Sequence, residues 1–183
     1  MERESIYDYL SIIQLVDLTP GFRLDDFYCV LEPYTDFIHK EALELQGYEV
    51  SRIHLLINKT NADVVAYMSL SADSIRLSDS EKEQYNMESV GFKAIPAIKI
   101  GHLAVAKVYS EKYRGIGTLL IELVRGIAFS MRKSGVACRF ITVDADILNN
   151  PSVLDFYFKS GFTLNEEYHR RKNPSLRLDI ESD

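Results

Sequence analysis

Lys112-Tyr113-Arg114-Gly115-Ile116-Gly117-Thr118 separates two apolar stretches of different period. Before it, Ala97 to Val105 is a nearly continuous apolar run, the pattern of a strand buried on both faces. After it, Leu119, Leu120, Leu123, Val124, Ile127, Ala128 and Met131 share one face of a helix expected from Gly115 to Lys133. A strand, a glycine-bearing turn and a helix in that order suit a pyrophosphate. Successive backbone N–H groups can point into one concavity, and Gly115 and Gly117 lack the Cβ that would hold the anion away. The helix start adds unpaired N–H groups and the positive end of its dipole, and Lys112 and Arg114 bring cations. Without a ligand, the same residues would be a turn that merely joins strand to helix. The flanking cations and the position favour the anion. No Gly-Lys-Ser/Thr ends the turn, so it is not a Walker A loop, and the third glycine of the dinucleotide fingerprint is missing.

Toward the C-terminus, Gly135 ends the long helix and Cys138 to Val143 reads as another buried strand. Pro151 to Ser160 reads as a helix, with Asn150 as N-cap, Pro151 at the first position and Gly161 as the stop. Phe162 to Glu166 and Leu176 to Ile180 are the last two strands. His169, Arg170, Arg171 and Lys172 lie between them, a cluster more often a solvated hairpin tip than a site for an anionic partner. Toward the N-terminus, Val50 to Ile57 and Val64 to Leu70 form a hairpin across the polar turn Asn58 to Asp63. Tyr34 to Gln46 has helical spacing at Phe37, Ile38, Ala42 and Leu45, with Gly47 as a stop. Ser11 to Leu18 reads as the first strand, ended by Pro20-Gly21. Residues 74 to 93 are polar from Ser78 to Glu88 and read equally as a short helix or a surface loop. The order β-α-β-β-(irregular)-β-α-β-α-β-β implies a mixed sheet with helices on both faces.

The chain of 183 residues suits one domain, 1–183. No apolar run approaches the roughly 20 residues that span a bilayer. The polar start Met1-Glu2-Arg3-Glu4-Ser5 does not read as a signal peptide, which points to the cytoplasm. Cys29 and Cys138 are too few for a disulfide framework and have no metal-ligand spacing, so both read as buried apolar residues and no metal is expected. A formal net charge of −6 argues against a tight nucleic-acid binder, which usually carries a basic face. It suits an amine substrate that is cationic before reaction.

Leu103-Ala104-Val105, the seven residues that follow, and Tyr113-Arg114-Gly115-Ile116-Gly117-Thr118 leading into Leu119-Leu120 resemble the acetyl-CoA-binding motif of the GNAT acyltransferase superfamily. That family's loop runs Gln/Arg-x-x-Gly-x-Gly/Ala. Lys112 stands at its first place, a departure that keeps the charge. The resemblance covers about residues 95 to 166 and fades toward both ends. It implies an α/β (α+β) fold with a mixed, mostly antiparallel sheet of six to seven strands and helices on both faces. It implies acetyl-CoA as co-substrate, lying along Leu103, Ala104 and Val105, with main-chain groups of Leu103 and Val105 pairing with the pantetheine arm. The N–H groups from Arg114 to Thr118, those of Gly115, Ile116 and Gly117 among them, would hold the pyrophosphate. In the family the two central strands part to admit the cofactor; here they would be Ala97 to Val105 and Cys138 to Val143.

Asn150 to Phe162 resembles the family's second signature, Asn-x-x-Ala-x-x-x-Tyr-x-x-x-Gly-Phe, with Asn150, Tyr157, Gly161 and Phe162 in place and Val153 where Ala is usual. The resemblance places Asn150 among the cofactor-binding residues and makes Tyr157 the catalytic candidate. A thioester attacked by an amine expels a thiolate, and a phenol can donate a proton to it. A thiol ionises near about 8.5 and a phenol near about 10, so tyrosine is still protonated at neutral pH. Read from periodicity alone, Tyr157 is a core aromatic of its helix. His102, Asp144 and Asp146 are weaker candidates for a general base; a structural place for His102 and loop capping by the aspartates are the commoner readings, and water can suffice.

Ala94 to Val105 resembles the toxin-type branch, some members of which acetylate aminoacyl-tRNA. They commonly carry Arg where His102 stands, and with the acidic balance this counts against tRNA. The favoured reading is an N-acetyltransferase for a small-molecule or protein amine. Its alternatives are a tRNA-acetylating toxin and a CoA-binding module without catalysis. The acceptor, the presence of an antitoxin partner and the oligomeric state stay open, a homodimer among the options.

Overall fold

The computed structural model describes residues 3–168 and 172–181. In chain order its elements are β1 (Glu4–Ser5), a 3-10 turn (Ile6–Ile12), β2 (Ile13–Asp17), a second 3-10 turn (Leu24–Asp26), α1 (Glu32–Lys40), α2 (Ala42–Gly47), β3 (Arg52–Asn58), β4 (Val64–Ile75), α3 (Asp79–Gln84), β5 (Ile95–Val105), α4 (Lys107–Lys112), β6 (Tyr113–Arg114), α5 (Ile116–Lys133), β7 (Phe140–Asp144), α6 (Val153–Lys159), β8 (Thr163–Leu164), a third 3-10 turn (Glu166–Tyr168) and β9 (Ser175–Asp179). Seven strands form one sheet in the order β2-β3-β4-β5-β7-β9-β8, and β1 pairs with β6 separately. The β2–β3, β3–β4, β7–β9 and β8–β9 pairings are antiparallel, and β5 runs parallel to β7. This is the mixed, mostly antiparallel α+β sheet expected from the sequence.

The chain divides into two compact units, Met1–Ser71 with Gly101–Glu122, and Ala72–Ile100 with Leu123–Asp183. In the first, Phe27, Phe37 and Tyr67 are buried together. The Phe27 ring meets Tyr67 edge-on at 5.3 Å and Phe37 stacks on it at 5.9 Å. The Tyr67 hydroxyl donates to the Tyr34 carbonyl at 2.6 Å, so its one polar atom is satisfied as its ring is buried. The expected β3–β4 hairpin is present. Asn58 Oδ1 accepts from the Thr60 N–H at 2.9 Å and the Thr60 hydroxyl at 2.7 Å, an Asx turn that starts the connection. The helix expected over Tyr34 to Gln46 is two helices that break at Glu41, and α1 starts earlier because Pro33 fits a first helical turn. The strand expected from Ser11 begins only at Ile13, the residues before it being wound into the first 3-10 turn.

In the second unit, the stretch left open by the sequence contains a real helix. Ser78 Oγ accepts from the Glu81 N–H at 3.2 Å while Glu81 Oε2 accepts from the Ser78 N–H at 2.8 Å, a capping box. The same Glu81 is 1% exposed and faces Arg177, itself 2% exposed, with Nη1 2.5 Å from Oε1. Arg177 also donates to Tyr85 Oη (2.9 Å), the Leu164 carbonyl (2.8 Å) and Asn165 Oδ1 (3.1 Å). Cys138 is buried, and desolvation pushes its thiol up. The limits of three strands move by one or two residues from those expected: β7 starts at Phe140, β8 covers Thr163–Leu164 and β9 covers Ser175–Asp179.

The start of α6 departs from the sequence reading. Asn150 is not its N-cap and Pro151 is not its first residue: the helix begins at Val153. The Val153 N–H donates to the Asn150 carbonyl at 3.1 Å, so Asn150 to Val153 is a β-turn with Pro151 at its second position. The Asn150 side chain accepts from the Ser152 hydroxyl at 2.9 Å instead of capping the helix. Among the described residues no helix is long and apolar enough to cross a membrane.

Candidate cofactor site

In the first unit the end of β5, the turn after it and the start of α5 form one continuous stretch. β5 pairs with β7 from Ala97 to Ile100 and continues to Val105. Ala104 is buried, and Leu103 and Val105 are half-buried. Two elements that the sequence reading missed follow. α4 turns the chain at Lys107–Lys112, and β6 then pairs in parallel with β1, Tyr113 with Glu4 and Arg114 with Ser5. Gly115 comes next at φ +87°, a left-handed conformation that favours glycine.

The hydrogen-bond ladder of α5 starts where Leu119 donates to the Gly115 carbonyl at 2.9 Å. The amides of Ile116, Gly117 and Thr118 therefore precede the first intrahelical bond. Among the described residues no backbone carbonyl takes them up. The Ile116 side chain is buried and anchors the turn, while Gly117 is half-buried and Thr118, Lys112 and Arg114 are exposed. The Lys112 ammonium sits 5.0 Å over the Tyr113 ring, and the contact with that tyrosine raises the pKa of the lysine. Open donors, a glycine-formed bend and two surface cations thus lie together in this stretch.

The N-terminal segment, which carries no recognisable pattern, packs onto this turn. Ile6 is fully buried, and a Cβ placed on Gly115 would lie 3.2 Å from Tyr7 Cε2. The Tyr7 hydroxyl donates to Glu122 Oε1 at 2.9 Å. Burial and the Glu122 carboxylate push the phenol up to about 12, so it keeps its proton and donates throughout the neutral range. A polar, aromatic start is a weak signal, because its apolar residues follow neither period.

Three further candidates fall within single units. His102 stacks on Phe37 with ring centres 3.6 Å apart, and its Nδ1 is 3.1 Å from Ser69 Oγ, so packing fixes the ring. In the second unit, Asp144 is 2.5 Å from Lys99 Nζ. Asp146 caps the loop after β7, accepting from the Asn149 N–H at 3.3 Å and from Asn149 Nδ2 at 2.8 Å. A half-open cavity of about 300 Å³ in the first unit, between Asp63 and Lys107, carries the Arg23–Asp63 ion pair on its wall; no sequence motif marks it.

Asn150 and Tyr157 lie in the second unit. Tyr157 is 6% exposed on α6, its ring edge-on to Phe162 at 5.2 Å and tilted against Phe156 at 5.1 Å. The Phe162 N–H donates to the Tyr157 carbonyl and the Gly161 N–H to the Phe158 carbonyl, both at 3.0 Å, with Gly161 at φ +88°. That is a Schellman cap with its hydrophobic contact. Tyr157, Gly161 and Phe162 of the second signature are thus first a helix stop, which fixes the height and direction of Tyr157. Of the basic cluster, His169, Arg170 and Arg171 lie outside the described residues, and Lys172 is exposed.

No family model matches the sequence, and no curated protein does. Solved structures do. AtaT complexed with acetyl-methionyl-tRNAfMet is 20% identical with a TM-score of 0.75, over 92% of this chain and 95% of that one. A Tyr-to-Phe variant of KacT is 17% identical with a TM-score of 0.76, over 92% and 95%. A Tyr-to-Phe variant of the AtaT toxin, bound to the C-terminus of the antitoxin AtaR and acetyl-CoA, is 19% identical with a TM-score of 0.70, over 93% and 94%. The chain has the fold of these proteins, the GNAT-like architecture that residues 95 to 166 imply.

Proposed function

We propose that this protein transfers the acetyl group of acetyl-CoA to a primary amine by direct attack on the thioester. The observation that carries the reading is the start of α5: three amides ahead of the first intrahelical bond, behind a left-handed glycine, with Lys112 and Arg114 exposed beside them. A diphosphate matches that donor set in charge and in reach. Leu103 and Val105 offer main-chain groups to the pantetheine arm. Asn150 is assigned to cofactor binding by the second signature it opens.

The amine nitrogen forms the new C–N bond as the C–S bond breaks. The departing thiolate takes the Tyr157 phenol proton, and the proton lost by the amine returns to the tyrosine through water. The fold shared with AtaT bound to acetyl-CoA supports the choice of donor. The structural neighbours include Tyr-to-Phe variants, and Tyr157→Phe is the substitution that tests this chemistry here.

A second reading makes aminoacyl-tRNA the acceptor, with an antitoxin-type protein as partner. It is favoured by the neighbours AtaT with acetyl-methionyl-tRNAfMet and AtaT with AtaR. The formal net charge of −6 opposes it. One experiment separates the readings: thiol release from acetyl-CoA in the presence of polyamines, amino acids, aminoglycosides, peptides and charged tRNA. Amine-dependent release with a small or peptide acceptor supports the first reading, and release with charged tRNA alone supports the second. CoA binding without release for any acceptor would leave a binding module.

A further inference from the structure

We propose that residues 3–9 form a strap that sets the geometry of the diphosphate turn, with Tyr7 as its positioning residue; this rests on the reading of that turn given above. The strap touches the turn at successive points. Arg3 Nη1 donates to the Ser110 carbonyl at 3.2 Å, at the end of α4. Glu4 and Ser5 pair with Tyr113 and Arg114. The Tyr9 ring meets Tyr113 edge-on at 4.9 Å while its hydroxyl donates to Glu4 Oε2 at 2.7 Å, which clamps that pairing. Tyr7 then covers Gly115 and bonds to Glu122, beyond the first turn of α5.

The physical need for such a strap lies in Gly115. Glycine reaches a positive φ easily but leaves it as easily. The direction of the Ile116, Gly117 and Thr118 amides depends on that one torsion. A turn that had to be ordered on binding would lose affinity to the ordering entropy, and one held beforehand would not. The strap holds it from both sides: main-chain pairing fixes Arg114 before the glycine, and the Tyr7–Glu122 bond ties the helix after it. Tyr7 is 40% exposed, so its ring works at the surface of the turn and adds little to the buried core.

The test compares two acetyl donors, acetyl-CoA and S-acetylpantetheine, which lacks the diphosphate. Tyr7→Ala is expected to raise KM for acetyl-CoA about tenfold, the scale of one lost hydrogen bond plus a loosened turn, with kcat within about twofold. Turnover of S-acetylpantetheine should match that of the unaltered protein, because no diphosphate is there to be placed. Tyr7→Phe keeps the ring and should lose only about threefold in KM. Equal losses with both donors would mean that the strap is merely structural and would overturn the proposal, as would an unchanged KM for acetyl-CoA. If the unaltered protein itself used both donors equally well, the diphosphate reading would fail, and the strap proposal with it. Thermal melts without ligand, alike for the three proteins, establish that folding is not what changed.

Discussion

Gly115 and Gly161 hold φ at +87° and +88°, and a Cβ on either would come within 3.2 Å of a neighbouring side chain, Tyr7 in one case and Leu178 in the other. Gly115 stands before a helix. The amides that follow it precede the first intrahelical bond, and among the described residues no backbone carbonyl takes them up. Gly161 stands after a helix. The N–H groups of Gly161 and Phe162 turn back onto the Phe158 and Tyr157 carbonyls, and the acceptors at that end are consumed. The same backbone device therefore opens one helix end and closes the other. A glycine in a signature is a ligand-binding signal only where the polar groups beside it lack protein partners.

The closed character of the second unit is broken most severely at its buried ion pair. Glu81→Ala would strand Arg177, and unfolding stability should drop by about 3–5 kcal/mol, measured by urea denaturation. At the closed helix end, Gly161→Val forces a β-branched residue into a left-handed conformation against Leu178. A loss of roughly 3 kcal/mol is expected, with CoA affinity of the folded fraction unchanged. A Gly161→Val protein that melts normally but no longer binds CoA would reverse the contrast between the two glycines. Tyr157→Phe sharpens it from the other side. The Schellman bonds use only the main chain, and the ring contact with Phe162 survives, so the helix stop should persist while kcat falls about 100-fold at unchanged CoA affinity. Unchanged kcat would leave Tyr157 as part of the helix stop alone.

The parts of the fold set by short-range rules were legible in the sequence. The central strand, the long amphipathic helix and the hairpin each follow from one period and one turn. The donor turn was legible because Gly115 and Gly117 sit between two such elements. What escaped depends on partners distant in the chain. Ser78 to Gln84 read equally as a short helix or a surface loop, because nothing local tells that Glu81 meets Arg177 about a hundred residues later. The Asn150-Pro151 pair has the composition of a helix start and forms a β-turn instead, since the Ser152 hydroxyl engages the asparagine side chain. The strap was invisible for the same reason: Tyr7 matters only once Gly115 and Glu122 are folded beneath it.

The claim that the open end of α5 holds a diphosphate is tested most directly by calorimetric titration of CoA into the unaltered protein and into Gly117→Val. Valine at the second position of a helix costs the free protein little, because glycine is already the poorer helix former. The account predicts saturable binding to the unaltered protein and a dissociation constant about 30-fold weaker in the variant, roughly 2 kcal/mol, with both melting alike in the absence of CoA. Equal affinity in the two proteins would contradict it.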